Sequence, residues 1–271
     1  MNLLNKTIFL FLSFLLVSFM HEPTNQNFQG KAYYFSKSKL ELGNWGARMS
    51  EAQKKQMQSR LSNRLEKTFI LSFNKEESIF EEEEKVDAIS GATDSWGSNF
   101  SRGKQYKNIK ENQLVQTQEF YGKRFLVKDK LQNIDWKMES DSKKIGQYMC
   151  FKATASVPTK ELSWFNFSWG DLSSENDSID IQMTEVEAWY TLQIPLKHGP
   201  AEYGGLPGLI LEVSAGNTTI LCSQILINPK NSFEIEAPSK GKIITKMAYQ
   251  ATLKEKMLEM RNNRGRRRRR N

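Results

Sequence analysis

The sequence predicts a mainly β (α+β) domain: one large, curved, half-barrel-like antiparallel sheet of about ten strands, packed by a helix from the N-terminal half and a C-terminal helix. Three observations carry this. From Thr68 onward, short runs of alternating apolar and polar residues follow one another, separated by Gly, Asn, Asp and Ser. Between the runs from Leu114 to Val157 no gap is long enough for a crossover helix, so these neighbouring strands are expected to form an antiparallel meander. Only two stretches carry helical periodicity, one after Ser50 and one after Ser239.

In order along the chain, Tyr33, Tyr34 and Phe35 make residues 31–36 a first strand. Ser50 and Gln53 have the spacing of a capping box, and the helix they open is expected to reach residue 67 with Met57, Leu61 and Leu65 on one face. Phe69, Leu71 and Phe73 alternate, and residues 78–80 return into the acidic run Glu81 to Glu84. That run lacks the spaced oxygens and glycine of a calcium loop and reads as a solvated strand end. Residues 87–103, with Gly91, Gly97 and Gly103, read as a loop. Strands are expected at 114–121, 123–128, 134–138 and 148–157. Trp164, Phe165, Phe167 and Trp169 then crowd one stretch, either as a satellite core or as a lip over a cavity. Residues 179–192 are the clearest strand, with Val186, Ala188, Tyr190 and Leu192 on one face and Glu185, Glu187, Trp189 and Thr191 on the other. Strands at 209–213 and 218–227 pair across Ala215-Gly216-Asn217, and 233–236 adds an edge strand. A helix over 239–261 is expected to bury Ile244, Met247, Ala251 and Leu258.

The chain is organised around Gly204-Gly205-Leu206-Pro207-Gly208-Leu209-Ile210. Glycine supplies freedom to reach φ > 0, proline fixes φ and removes a donor, and the apolar residues launch a buried strand. These residues are read as architecture, with no nucleophile, base or metal ligand among them. Together with Ala188-Trp189-Tyr190-Thr191, Ile194-Pro195 and Gly199-Pro200, this stretch resembles the signature of the GLPGLI family, exported proteins found mainly in Bacteroidetes. The run Lys144 to Cys150 is similar to a second block of that family, and the resemblance covers most of residues 28–255. It implies a β-rich exported domain and no particular reaction.

The start of the chain fits export on its own. Lys6 precedes an apolar run from Ile8 to Val17 that is short of the ~20 residues of a membrane span, so residues 1–22 read as a signal peptide. Phe19-Met20-His21-Glu22 lacks a small-residue cleavage pair, which leaves an uncleaved anchor as the alternative. The domain is then 28–261, followed by a basic disordered tail over 262–271. The net charge is +8, and Arg261, Arg264 and Arg266 to Arg270 account for nearly all of it. An exported chain does not meet nucleic acid, so the tail reads either as merely solvated or as a flexible segment that touches anionic lipid or polymer. Cys150 and Cys222 are an even count that an oxidising compartment could bridge, or two separate buried thiols.

Candidates for chemistry are few. Beyond the signal only His198 offers an imidazole, and neither a metal-ligand set nor a cofactor motif is legible. Trp164, Trp169, Trp189, His198 and Glu212 are the candidate ligand contacts. The leading expectation is a periplasmic or surface protein that binds an apolar ligand or an envelope protein without catalysis, with Pro195 to Gly208 at the mouth of a concave apolar face. A carboxylate-dependent hydrolase is the second reading, and it needs Glu185, Glu187 or Glu212 to converge with His198. A docking component of an outer-membrane assembly is the third.

Overall fold

A computed structural model describes residues 28–39, 48–61, 65–83, 100–165 and 181–268. The expected signal peptide, Trp169 and the last residues of the basic tail lie outside them. The strands are β1 (Gly30–Ser38), β2 (Glu66–Phe73), β3 (Glu77–Glu82), β4 (Phe100–Asn108), β5 (Gln113–Phe120), β6 (Lys123–Lys130), β7 (Lys137–Ile145), β8 (Tyr148–Pro158), β9 (Met183–Thr191), β10 (Leu209–Ala215), β11 (Thr218–Ile227) and β12 (Lys242–Ile244). The helices are α1 (Glu51–Arg60), the single turn α2 (Thr159–Leu162) and α3 (Lys246–Arg268).

All strands join one open sheet in the order β12-β6-β5-β4-β3-β2-β1-β11-β10-β9-β8-β7. Every pairing is antiparallel except β12 on β6. Curvature follows from the connection between β6 and β7. Ten strand spacings separate these two, about 48 Å in a flat sheet at ~4.8 Å each. Residues 131–136 can span only about 25 Å fully extended. The sheet must therefore curl until its two ends approach, which makes it a shell with an inner and an outer face.

The inner face holds the main core. Ala32, Tyr34, Leu71, Phe73, Phe80, Ala153, Ala188, Ile210 and Val213 are buried there, and Tyr34 Oη donates to the Ile210 carbonyl at 2.6 Å. A second cluster packs α3 through Tyr249, Leu253 and Met257, four residues apart, onto Leu114, Phe120, Phe125, Val127 and Trp164. The outer face carries a small third cluster of Tyr106, Val115 and Leu126, joined by Ile79 and Ile235. After β11 the chain crosses this outer face as a strap over 228–241, adds β12 beside β6, and turns to the inner face as α3.

Several expectations need correction. The capping box forms, with Gln53 N donating to Ser50 Oγ at 3.2 Å and Ser50 N to Gln53 Oε1 at 2.8 Å. Yet α1 ends at Arg60 and buries no residue, because β2 begins at Glu66 and claims the positions assigned to the helix. Residues 100–103 belong to β4, and 134–136 are not strand. Residues 233–236 are extended but pair with no strand. The final helix starts at Lys246 in a different phase, leaving Met247 79% exposed.

Candidate functional site

The loop between β9 and β10 fills the interior of the shell. Its backbone is tied to itself and to β10: Gly205 N donates to Lys197 O, Leu209 N to Ile194 O and Ile210 N to His198 O. Trp136 Nε1 donates to the Gly204 carbonyl at 2.8 Å, fastening the crossing between β6 and β7 to the same loop. Leu206, Leu209, Ile210 and Leu211 are all buried to within 1%. Gly205 has φ +88, so it needs its freedom. Gly208 has no positive φ. A side-chain carbon there would lie 2.0 Å from Thr191 O, so close approach is what requires glycine.

The far wall meets this loop with polar groups. Lys107 on β4 is buried, and its Nζ donates to the carbonyls of Gly199 (2.7 Å), Ala201 (2.8 Å) and Tyr203 (3.0 Å). Beside it, Gln105 Nε2 donates to Gln116 Oε1 and to Glu202 Oε1, both at 2.9 Å, and Trp164 Nε1 donates to Glu202 Oε1 at 3.3 Å. Ser78, Gln105, Lys107, Gln116 and Gln118 thus form a buried polar band across β3, β4 and β5. Within it, Gln105 Oε1, Gln116 Nε2, Gln118 Nε2 and Ser78 Oγ lack a hydrogen-bond partner among the described residues, as does Tyr249 Oη of α3.

His198 is 1% exposed. Its Nε2 lies 2.9 Å from the Asn74 carbonyl, which can only accept, so Nε2 carries the proton and Nδ1 is bare. Burial and the Lys107 ammonium push the imidazole down to about 3, against the bond to Asn74. It is therefore neutral at ordinary pH and sealed from solvent.

Of the other candidates, Trp189 and Glu212 lie on the opposite face. Trp189 and Glu212 are cross-strand partners, and Lys143 Nζ both pairs with Glu212 Oε2 at 2.7 Å and sits 4.2 Å above the Trp189 ring. Lys152 pairs with Glu187 at 2.8 Å, and that ion pair, with a bond from Trp189 Nε1, holds the Glu187 carboxyl below its usual range. Ser156 Oγ donates to Glu185. Glu185, Glu187 and Glu212 share one face, as the alternation predicts, but His198 lies across the sheet from them. The convergence that a His-assisted hydrolase requires is not formed. Trp164 is buried beside α3, so the candidate contacts do not meet in one mouth, and the interior expected to hold an apolar ligand is filled by loop and helix.

Both cysteines are buried thiols without a bridge. Burial pushes Cys150 up to about 11 and Cys222 up to about 12. Among the described residues no His, Cys, Asp and Glu cluster could hold a metal, and no helix is long and apolar enough to cross a membrane.

The loop, its tryptophan tie and the Glu212 ion pair fall within a known family's span. Residues 136–212 match the model of a protein family of unknown function (Porph_ging). The Porph_ging match runs from Trp136 to Glu212 and takes in β7 to β9, the loop and the start of β10; the GLPGLI name stays a resemblance. No curated protein matches the chain. Two solved structures, of PNGF-II in the C2 and P21 space groups, are similar at 14% identity with TM-scores of 0.49 and 0.48. They match over 83% and 82% of this chain and 32% of theirs, so the chain spans about a third of their length.

Sequence reasoning identified the loop and missed its counterpart. Nothing in the sequence sets Lys107, Gln105, Gln116 and Glu202 apart from other polar residues; only the placement of the first three on strands that also carry buried apolar groups, and of Glu202 in the long loop, could have drawn attention to them.

Proposed function

We propose that the chain is an exported protein of the cell envelope, periplasmic or surface-held, that binds a protein partner and catalyses no reaction on it. The supporting observation is a groove of ≈ 620 Å³ on the outer face, between the strap and β1 to β5, lined by Ile79, Lys104, Thr117, Phe233 and Glu236 among others. It is open to solvent and mixes charged, hydroxyl and apolar groups, as a partner-binding surface does. The interior, by contrast, is closed by its own chain, and its one histidine cannot reach a substrate. The arginines at the end of α3 add attraction to anionic lipid or polymer.

The reading is tested in cells with an epitope-tagged chain, by osmotic-shock fractionation and photo-crosslinking. A benzophenone amino acid placed at Ser72, in the groove, is compared with one at Lys254, on exposed helix surface. The expected result is an envelope fraction with crosslinks from Ser72 alone. Retention in the cytoplasm, or equal crosslinking from both positions, overturns it.

A further inference from the structure

The strap that walls the groove has the sequence of a strand and none of a strand's neighbours. Phe233 and Ile235 are half-buried and face the sheet: Lys31 Nζ lies 4.9 Å over the Phe233 ring, and Ile235 packs with Tyr106, Val115 and Leu126. Glu234 and Glu236 alternate with them and are exposed. Phe233 is pinned at both main-chain groups by the Gln29 side chain, with N to Oε1 at 3.3 Å and Nε2 to O at 2.8 Å. From Glu234 to Lys240 the main chain makes no hydrogen bond to the rest of the described protein. Among the described residues it leaves donors and acceptors unpaired beside an open groove over 234–237, up to Pro238, which has no N–H to give. On the groove floor Lys104 pairs with Glu81 at 2.7 Å and Lys31 sits over the Phe233 ring, whereas Glu234 and Glu236 on the strap, and Lys240 at its far end, have no ion-pair partner among the described residues, so the outward edge at 234–236 is locally acidic.

We propose that this groove receives an extended polypeptide segment, which adds to the strap as a strand and carries Lys or Arg at alternate positions opposite Glu234 and Glu236. The free main chain selects for a peptide backbone, since strand addition supplies the missing pairs in register. The exposed side of the added strand meets two carboxylates two residues apart, and cross-strand opposite charges are favourable. Its inward side meets Ile79 and Thr117, which suit small apolar residues. The proposal rests on the binding reading above and gives it a recognition mode and a partner chemistry.

The test uses the whole chain and a fluorescent seven-residue peptide, Thr-Lys-Val-Lys-Val-Lys-Thr, followed by anisotropy. Three comparisons accompany it: the same peptide N-methylated at alternate amides, a version with Glu for Lys, and the Glu234→Lys/Glu236→Lys protein, checked for unchanged melting. Saturable binding by the wild type is expected, weakened at least tenfold in each comparison, with amide exchange slowed over 234–237 in the complex. No binding, or equal binding of the N-methylated or Glu peptide, overturns the proposal. If groove crosslinks from Ser72 persist in that case, the broader binding reading survives without it.

Discussion

A side-chain carbon on Gly208 would sit 2.0 Å from the carbonyl oxygen of Thr191 and 2.6 Å from its carbonyl carbon, both main-chain atoms that cannot swing aside. Gly208→Ala is therefore expected to lower stability by at least ~3 kcal/mol in urea unfolding, through forced separation of β9 and β10. Gly205→Ala has open space and only a positive φ to overcome, at about 1 kcal/mol. The reverse order of these two losses would show that conformational freedom, and not contact, decides the motif. His198 gives a second test at this scale. Its pKa is depressed in the fold to about 3 from an unfolded value near 6.5, so the unfolded chain binds the extra proton between these limits. The stability linked to it is fully present above pH 6.5 and is lost as pH falls towards 3. Between pH 7 and pH 4 the wild type should lose roughly 3 kcal/mol more than His198→Gln, which keeps a donor for Asn74 and does not titrate.

At the scale of elements, α3 is attached by one apolar stripe above a polar band. Leu253→Ala removes the middle of the stripe and should cost about 3 kcal/mol, with faster amide exchange along the helix. Tyr249→Phe removes a buried hydroxyl that has no hydrogen-bond partner among the described residues, so it should raise the melting temperature instead of lowering it. A drop would show that the hydroxyl is satisfied in solution. Which elements could be read from sequence follows from how cleanly their two faces differ. The β10 to β11 hairpin was legible because Gly216-Asn217 separates two alternating runs, and the Ser50 and Gln53 cap because it is local chemistry. β4 was not, because Gln105 and Lys107 occupy its inner face and flatten the alternation, so that 104–108 carries no strand signal and 100–103 falls to the glycine-bearing loop. The phase of α3 was misjudged because Ile244 belongs to β12; Tyr249, Leu253 and Met257 carry the true stripe. For the same reason the loop half of the interior site could be found by its Gly and Pro residues, and the Lys107 half could not.

The whole molecule is a curled sheet closed over its own connecting loop, so groups inside it report on global unfolding. Cys150 and Cys222 should resist thiol reagents in the native protein and react together once it unfolds, since burial holds both thiols protonated. Fast labelling of either one alone would reveal a local opening that the packing does not suggest. The position of β1 has a further consequence. It lies between β2 and β11, with Gly30 facing both Phe73 and Ile227, so the first strand of the described residues bonds to the eleventh. Until Ile227 has been synthesised the two arms of the meander have no seam along which to join. The run from β2 to β6 can pair strand by strand as it emerges, but the join between the two arms waits for β11.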